Sequence, residues 1–547
     1  MPIIDASRPA LFLRRLFSHR SRGVGLVPDD ANIVGFTEKN QPIIVETPNR
    51  EACFSAFLTG GSGSGKTVLS VCILKNEIVI AAKIPEEDRP SFICIDVKYD
   101  LLEYLIGALS AEAPEILSRI KYLDVFSPGG FAFNFCKMPT PPGTSREFQA
   151  LALAEIISTV STQRGNVSSL STGSRQIDVL FHCFLAAMDI KDKRANILMA
   201  LDGLSDPRSG LLRLAMATTN QRARAFLMTN GSSLSPDLRS SSAARIRTAF
   251  LSSDLERIVS ADHCIDMDEI TGPNSITLMD LSSPPSGMQS LQSFYAGIFC
   301  RAIFDSLMAR KSPSEMSHCR IVLDEAQITL NNSTTQNSIE TILSGGRSRN
   351  ISTFIITQTP ASISEISPEL LKIIFTNCRD RWVGRSSSID STIISKMVSA
   401  KKGTDEPTSI VQSRISTALC NLSDREFMRI LPGSHERFRT VDLPIDKWRQ
   451  AAEKHAAEIE AMKRRYRLED QPPRATLSDL VPELPKKTRS PRRGVKAARK
   501  PVQGRTTSPG TMPESPRQTA PRGPRSADTA GSKPETTSRP KPRSKWG

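Results

Sequence analysis

The stretch Gly60-Gly-Ser-Gly-Ser-Gly65-Lys66-Thr67 satisfies G-x-x-x-x-G-K-[ST] at every position, and each residue type in it has a chemical task. Glycines take positive φ and let backbone N–H groups wrap closely around phosphate oxygens. A helix starting at the end of such a loop turns its positive end on the same anion. Gly60, Gly61, Ser62, Gly63, Ser64 and Gly65 would cradle the phosphates of ATP, Lys66 would reach the β- and γ-phosphates, and the Thr67 hydroxyl would ligate Mg²⁺. The flanks agree with this. The apolar run Phe54–Leu58 reads as a buried strand, and Val68 to Lys75 continue with helical periodicity. A glycine-rich β–α turn without a ligand is the alternative, and the lysine, the hydroxyl and both flanks count against it.

A cradle by itself does not hydrolyse anything. The run Cys319-Arg-Ile-Val-Leu-Asp324-Glu325 supplies what is missing: apolar residues carry two carboxylates to a strand end. There Asp324 can hold Mg²⁺ through water, and Glu325 can act as general base on the attacking water. Acidic pairs after apolar runs also simply cap strands, so the weight of this one comes from the phosphate loop upstream. Gln358, which ends the run Ser352–Thr357, is placed to sense a γ-phosphate or orient water, or is a plain strand-to-turn residue. Arg347 and Arg349, in Gly345-Gly-Arg-Ser-Arg-Asn350, either reach the γ-phosphate of a neighbouring subunit and spread transition-state charge, or line a solvated loop. Arg379, Arg381 and Arg385 are rivals for that role, and the sequence does not choose between the sets. Asp96 and Lys98 end a further apolar run, Ser91–Ile95, and either support the site or form a structural ion pair.

Positioning these groups calls for strands that end at one edge and helices that connect them. Besides the runs already named, Asn32–Phe36 and Pro42–Glu46 read as a hairpin, Lys121–Phe126 and Ser275–Leu281 as strands, and Arg379–Arg385 as an edge strand. Helical periodicity covers Gln289–Arg310 and Ser333–Leu343. It also covers Arg146–Val160, Arg175–Met188, Gln221–Met228 and Leu238–Val259, with no strand-like run between these four. Strands alternating with helices predict an α/β, RecA-like fold with a mostly parallel sheet and an inserted all-helical domain. The expected divisions are a basic arm over 1–29, the motor in two parts over 30–144 and 262–446, and the helical insertion over 145–261. A basic helix over 447–469 and a disordered polycationic tail over 470–547 complete the chain.

Length and charge narrow the partners. At 547 residues the chain can bury a large core. Its net charge of +15 is concentrated: residues 486–547 hold 17 Lys/Arg against 3 acidic residues, a net of +14, which leaves +1 for everything before them. A tail of Pro, Ser, Thr, Arg and Lys cannot bury enough apolar surface to offset chain entropy, and it suits phosphate backbones without reading bases. DNA is the expected partner, single- or double-stranded, with anionic lipid or an acidic protein as the alternatives. Ten cysteines scattered singly fit a reducing compartment and argue against structural zinc. No apolar run approaches the ~20 residues that span a bilayer. The segment Ala10–Phe17 reads as part of a basic arm, or as a short membrane-surface or targeting segment. A cytoplasmic location follows as the expectation, with peripheral contact to the inner face of a membrane left open.

Taken in order, the phosphate loop, Ile95-Asp96-Val97-Lys98, the helical insertion, Leu323-Asp324-Glu325-Ala-Gln327, the Arg347/Arg349 loop and the strand ending in Gln358 resemble the HerA/FtsK superfamily of ring-shaped DNA-pumping ATPases. Within it the chain is most similar to the type IV coupling proteins, the TraD/TraG-type ATPases of conjugative transfer, over roughly residues 30–445. The resemblance implies a homohexamer with ATP and Mg²⁺ at subunit interfaces, DNA in a central channel, and relaxase or secretion-channel proteins as further partners. It assigns Lys66 and Thr67 to phosphate and metal, Asp324 to the metal, Glu325 to water activation and Gln358 to γ-phosphate sensing. Coupling proteins usually carry N-terminal membrane helices and this sequence shows none, so a soluble conjugation ATPase, a truncated coupling protein with a separate anchor, a HerA-like repair translocase and a viral packaging motor stay open. A nucleotide switch that recruits cargo without pumping, or a metabolic P-loop kinase, would use the same loop.

Overall fold

The apolar runs become strands of one sheet because their side chains must be buried on both faces. The computed structural model describes residues 32–46, 53–140, 143–160, 174–231, 233–250, 252–284, 290–309, 317–398, 407–431, 434–468 and 473–481. All of these lie in the first of two compact units, Met1–Pro485; the second, Lys486–Gly547, holds most of the basic tail, which like the arm over 1–29 lies outside the described residues.

The strands are β1 (Ile33–Thr37), β2 (Pro42–Ile44), β3 (Ser55–Thr59), β4 (Ser91–Asp96), β5 (Ile120–Asp124), β6 (Ile276–Asp280), β7 (Cys319–Leu323), β8 (Ile351–Thr357), β9 (Cys378–Gly384), β10 (Glu426–Leu431) and β11 (Ser434–Thr440). Their order across the sheet is β2-β1-β11-β10-β9-β3-β8-β7-β4-β6-β5. From β9 to β5 neighbouring strands are parallel, while β10, β11, β1 and β2 add an antiparallel extension beyond β9. The mostly parallel α/β sheet expected from the sequence is the one observed. β9 is not an edge strand, however, because the hairpin of β10 and β11 pairs onto it.

Period-two alternation splits each central strand between two cores. Phe92, Cys94, Val322, Phe354 and Ile356 face one core, shared with the helices Lys66–Ala82, Asp100–Glu112 and, through Trp448 and Met462, the C-terminal helices. Phe57, Ile93, Ile95, Ile321, Leu323 and Ile355 face the other, which runs continuously into the helical region. A sheet covered on both faces needs near-continuous apolar strands, and that is why these runs were readable.

The chain leaves the sheet at its edge, after β5, builds helices from Arg146 to Thr271, and returns as β6 between β4 and β5. The helix expected over Leu238–Val259 is two, Pro236–Ala249 and Ser253–Ser260; Ser252 ends the link and caps the second through its hydroxyl, which accepts from Leu255 N–H. The basic helix expected over 447–469 is likewise two, Ile445–Lys454 and Ala456–Arg464, broken at His455. Beyond them, residues 473–481 are not a free tail. Arg474 makes two hydrogen bonds to the Asp202 carboxylate at 3.0 and 3.2 Å, Asn196 donates to Ala475 O, and the turn Leu477–Leu480 carries a capping box. The expectation that order ends near residue 470 therefore fails, because Asp202 offers a bidentate partner that composition does not reveal.

One charged pair crosses the first core. Arg320 on β7 and Glu77 on the helix Lys66–Ala82 are both fully buried, 3.5 Å apart. Arg320 also donates to Phe54 O at 3.0 Å and Ser352 Oγ at 3.2 Å. Burial pushes the Glu77 carboxyl up to about 7, against the pull of Arg320. Removing one partner of a buried pair strands the other, so Arg320→Met should cost about 3–5 kcal/mol in urea unfolding of the full chain at pH 8, and Glu77→Leu/Arg320→Met should recover most of it. Without Arg320, burial and the Asp380 carboxylate both act on Glu77 in the same direction, so its carboxyl stays protonated to higher pH. The Arg320→Met penalty should then be smaller at pH 5, where Glu77 is protonated in both proteins, and grow as pH rises through about 7.

Candidate active site

Parallel strands end together, and the loops after β3, β4, β7 and β8 meet at one edge of the sheet. They line a cleft of about 540 Å³ whose walls include Ser62, Gly63, Gly65, Lys66, Thr67, Lys98, Asp324, Glu325, Gln358 and Arg425. The volume is in the range of small-molecule sites, at the sheet edge where open α/β folds bind ligands.

The phosphate loop enters this cleft from β3. Gly65 sits at φ +93°, directly before the helix Lys66–Ala82, and no side chain caps the helix's first N–H groups. A helix start left open in this way presents its N–H groups and positive end to an anion. Gly61 N–H donates to Arg385 O at 2.7 Å and Arg425 N–H to Ser64 O at 3.0 Å, so the ends of β9 and β10 brace the loop from behind. Lys66 folds back on the cradle, donating to Gly60 O at 2.8 Å and Gly61 O at 3.1 Å. Burial holds its ammonium below the usual lysine range; Glu325 and Asp324 pull it up and Lys98 pushes it further down, so all four groups share one field.

The acidic pair enters from β7. Asp324 N–H donates to Ile95 O at 3.0 Å, which keeps β7 and β4 in register to their ends. Burial and the neighbouring Asp96 and Glu325 carboxylates push the Asp324 carboxyl well above its ordinary range. Glu325 takes a left-handed backbone, φ 48° and ψ 52°, a conformation that costs a non-glycine residue about 1–2 kcal/mol. That turn starts the short helix Ala326–Thr329 and aims a nearly buried carboxylate into the cleft. Gln358 Nε2 donates to Glu325 Oε1 at 3.0 Å, Gln327 Nε2 donates to Oε2, and Lys98 ion-pairs with Oε1. Asp96, by contrast, is fully buried and accepts from the N–H groups of Lys98 and Leu102 at 2.7 and 3.2 Å, so it shapes the turn after β4.

The arginines divide by edge. Arg347 and Arg349 form a 3₁₀ turn just before β8, at the end of the sheet opposite the phosphate loop of the same chain; Arg349 donates to Met308 O at 2.7 Å. Arg379 starts β9 at that same far end and pairs with Glu46 at 3.0 Å. Arg381 lies over the Phe375 ring. Of the five, Arg385 lies beside the loop, paired with Asp424 at 3.0 Å. Sequence reading passed over Arg425, Asp424 and Gln327. The apolar-rich run Glu426–Leu431 followed by the turn dipeptide Pro432-Gly433 was the available signal, since it marks the start of a hairpin whose root carries the first two.

Gly65 has no room for a side chain: a Cβ there would lie 3.2 Å from Arg425 Cα at a φ that L residues avoid. Gly65→Ala should therefore shift the loop and weaken binding of a fluorescent ATP analogue about tenfold or more, with the far-UV circular dichroism of the folded chain unchanged. Gly63, also at positive φ, has nothing within 4 Å of such a Cβ, so Gly63→Ala should melt closer to wild type than Gly65→Ala.

Residues 318–431, which include Asp324, Glu325 and Gln358, match the family model described as the TraM recognition site of TraD and TraG. No curated protein matches the chain. VirB4 of Thermoanaerobacter pseudethanolicus superposes with a TM-score of 0.50 at 10% identity, over 77% of this chain and 99% of that one. The bacterial conjugative coupling protein TrwBΔN70, in its unbound form, gives a TM-score of 0.46 at 13% identity, over 75% and 89%. The plasmid coupling protein TrwB in complex with ADP and Mg²⁺ gives 0.46 at 12%, over 80% and 92%. At such identities the likeness to VirB4 shows the fold alone. The resemblance to TraD/TraG-type proteins read from the sequence is borne out where the family model applies, over residues 318–431.

Proposed function

We propose that this chain is a P-loop ATPase of the conjugative coupling type, which hydrolyses ATP between subunits of a ring to move DNA. The observation that carries the reading is the meeting of Lys66, Thr67, Asp324, Glu325 and Gln358 on one cleft although they come from distant parts of the sequence.

In this reading the phosphates of ATP take the cradle, and Lys66 exchanges its two carbonyl partners for phosphate oxygens. The apolar wall of Tyr104, Leu443 and Ile445 offers a surface to the base. Thr67 and Asp324 are oxygen donors of the kind Mg²⁺ prefers. Among the described residues no group of three or more His, Cys, Asp or Glu side chains is arranged to hold a metal ion, so nucleotide oxygens and water would complete its shell. Mg²⁺, when bound, neutralises charge on the phosphates. Glu325 then accepts the proton of a water whose oxygen attacks the γ-phosphorus as the bond to ADP breaks, and Gln358 orients that water. Arg347 and Arg349 face away from their own cleft and so act, in this reading, on a neighbouring subunit, which requires a ring; a homohexamer is the arrangement proposed. The net +14 of residues 486–547 favours DNA as the cargo.

Lys66→Ala should weaken nucleotide binding about tenfold or more, whereas Glu325→Gln should keep the affinity and lower kcat by about 100-fold or more. Equal turnover by wild type and Glu325→Gln would remove the proposed base. DNA should stimulate ATP turnover by the full chain, and truncation after Pro485, which spares the docked residues 473–481, should reduce the salt dependence of DNA binding. Turnover indifferent to DNA, together with nucleotide-dependent capture of a TraM-type relaxosome protein, would favour a recruitment switch instead. That second reading is supported by the recognition-site description of the family model over residues 318–431.

A further inference from the structure

Lys98 belongs to none of the roles above, yet its ammonium sits on the carboxylate proposed as the base. We propose that Lys98 reads the terminal phosphate: it pairs with Glu325 while the cleft lacks a triphosphate, and leaves Glu325 for the γ-phosphate when one binds. The inference rests on the nucleotide reading of the cleft and adds to it a residue that couples base release to the triphosphate state.

Three observations carry it. First, the Glu325 carboxylate is crowded, with Lys98 and Gln358 on Oε1 and Gln327 on Oε2. A carboxylate offers about four lone-pair directions, so three donors leave little room to hold and deprotonate water. Withdrawal of Lys98, the charged donor of the three, would free a second direction and raise the basicity of Glu325. Second, Gln327 is tied down from its other end, and Lys98 has the most freedom to move. Gln327 Oε1 accepts from Thr357 Oγ1 at 2.7 Å, and Gln358 follows directly on β8. The Lys98 side chain is 40% exposed on a flexible stem, against 6% for its Glu325 partner. The ammonium end of the pair therefore meets solvent and can change partners without unpacking the core. Third, Lys98 lines the same cleft as Ser62 to Thr67 and Asp324, and so faces where the phosphates would lie. The other cations of the cleft are held differently: Lys66 by loop carbonyls, and Arg425 by Asp442 at the rim. Lys98 alone among these three is paired with the proposed base.

The test measures affinity, with no turnover involved. Binding of ADP and of a non-hydrolysable ATP analogue, each with Mg²⁺, is followed by calorimetry on the full chain as wild type, Lys98→Met and Lys98→Arg. Wild type should prefer the triphosphate. Lys98→Met should lose about tenfold or more of that preference, the scale of one charge-assisted contact, while ADP affinity stays within about twofold. Lys98→Arg should retain the preference within about threefold. An unchanged preference in Lys98→Met with ADP binding intact overturns the proposal and leaves the nucleotide site standing. Equal weakening of both nucleotides also overturns it, because that marks a residue that only shapes the cleft. Wild type that binds neither nucleotide overturns the reading beneath it.

Discussion

The site depends on the register of four parallel strands. Ala56 to Thr59 of β3 stand beside Phe354 to Thr357 of β8, Cys319 to Leu323 of β7 beside Ile351 to Ile355 of β8, and Ser91 to Ile95 of β4 beside Cys319 to Leu323. The side-chain period of a strand is two, so a slip of one residue in β7 would turn Asp324 and the apolar residues before it to the opposite faces. The two-sided core forbids that slip. Val322 belongs with Phe92 and Phe354 on one side and Ile321 with Ile93 and Ile355 on the other, and neither set can exchange places without exposing Arg320 to the wrong core. Packing far from the cleft thereby fixes how Asp324 and Glu325 reach it.

Local cost is concentrated where the strands end. Tyr99 after β4 and Glu325 after β7 both take left-handed backbones, at φ 75° and 48°. Strain of this kind persists where surrounding contacts over-determine it. Here the contacts are mutual, since Lys98, next to Tyr99, pairs with Glu325. Tyr99 is held in turn by Lys463, which donates to its hydroxyl at 2.8 Å and lies over its ring. The two strained residues are thus parts of one assembly, and a change at either reaches the other through a single side chain.

Much of this was legible in advance for a physical reason. Strands buried on both faces read as continuous apolar runs, and a phosphate loop needs particular residues in fixed order, so β3, β4, β7, β8 and Gly60–Thr67 could be placed from the sequence. Asp324, Glu325 and Gln358 followed because each terminates such a run. The β10–β11 hairpin was missed because Ser434–Thr440 is largely exposed and charged, with Phe438 its one large apolar residue, and its pairing with β1 joins residues about 400 apart in sequence. The opposite-edge position of Arg347 and Arg349 follows from strand direction, which fixes every loop before a strand at the far end; a loop rich in arginine says nothing of the edge it occupies. Lys98 illustrates a further limit. Its ion pair with Glu325 is a relation between two strand ends, and a sequence shows the ends without showing that they are neighbours.

The C-terminal segment joins what the sheet leaves apart. Trp448 is buried and packs on the helix Asp100–Glu112 beside Gly107. Lys463 lies between the rings of Tyr99 and Tyr122, 5.1 and 5.2 Å from their centres. Arg257 of the helical region donates to Leu468 O, and Arg474 grips Asp202 of the same region. One stretch of chain therefore touches the turn that carries Lys98, the edge strand β5, and the helices inserted between β5 and β6. A rearrangement of the Asp96–Tyr99 turn cannot leave Lys463 unmoved, because the ammonium is bonded to the Tyr99 hydroxyl. Lys463 is anchored in a helix whose continuation is fastened to the insertion. Within the proposed motor, this segment is a second physical link between the Lys98 turn and the helical region, beside the continuous core, and it runs outside the sheet.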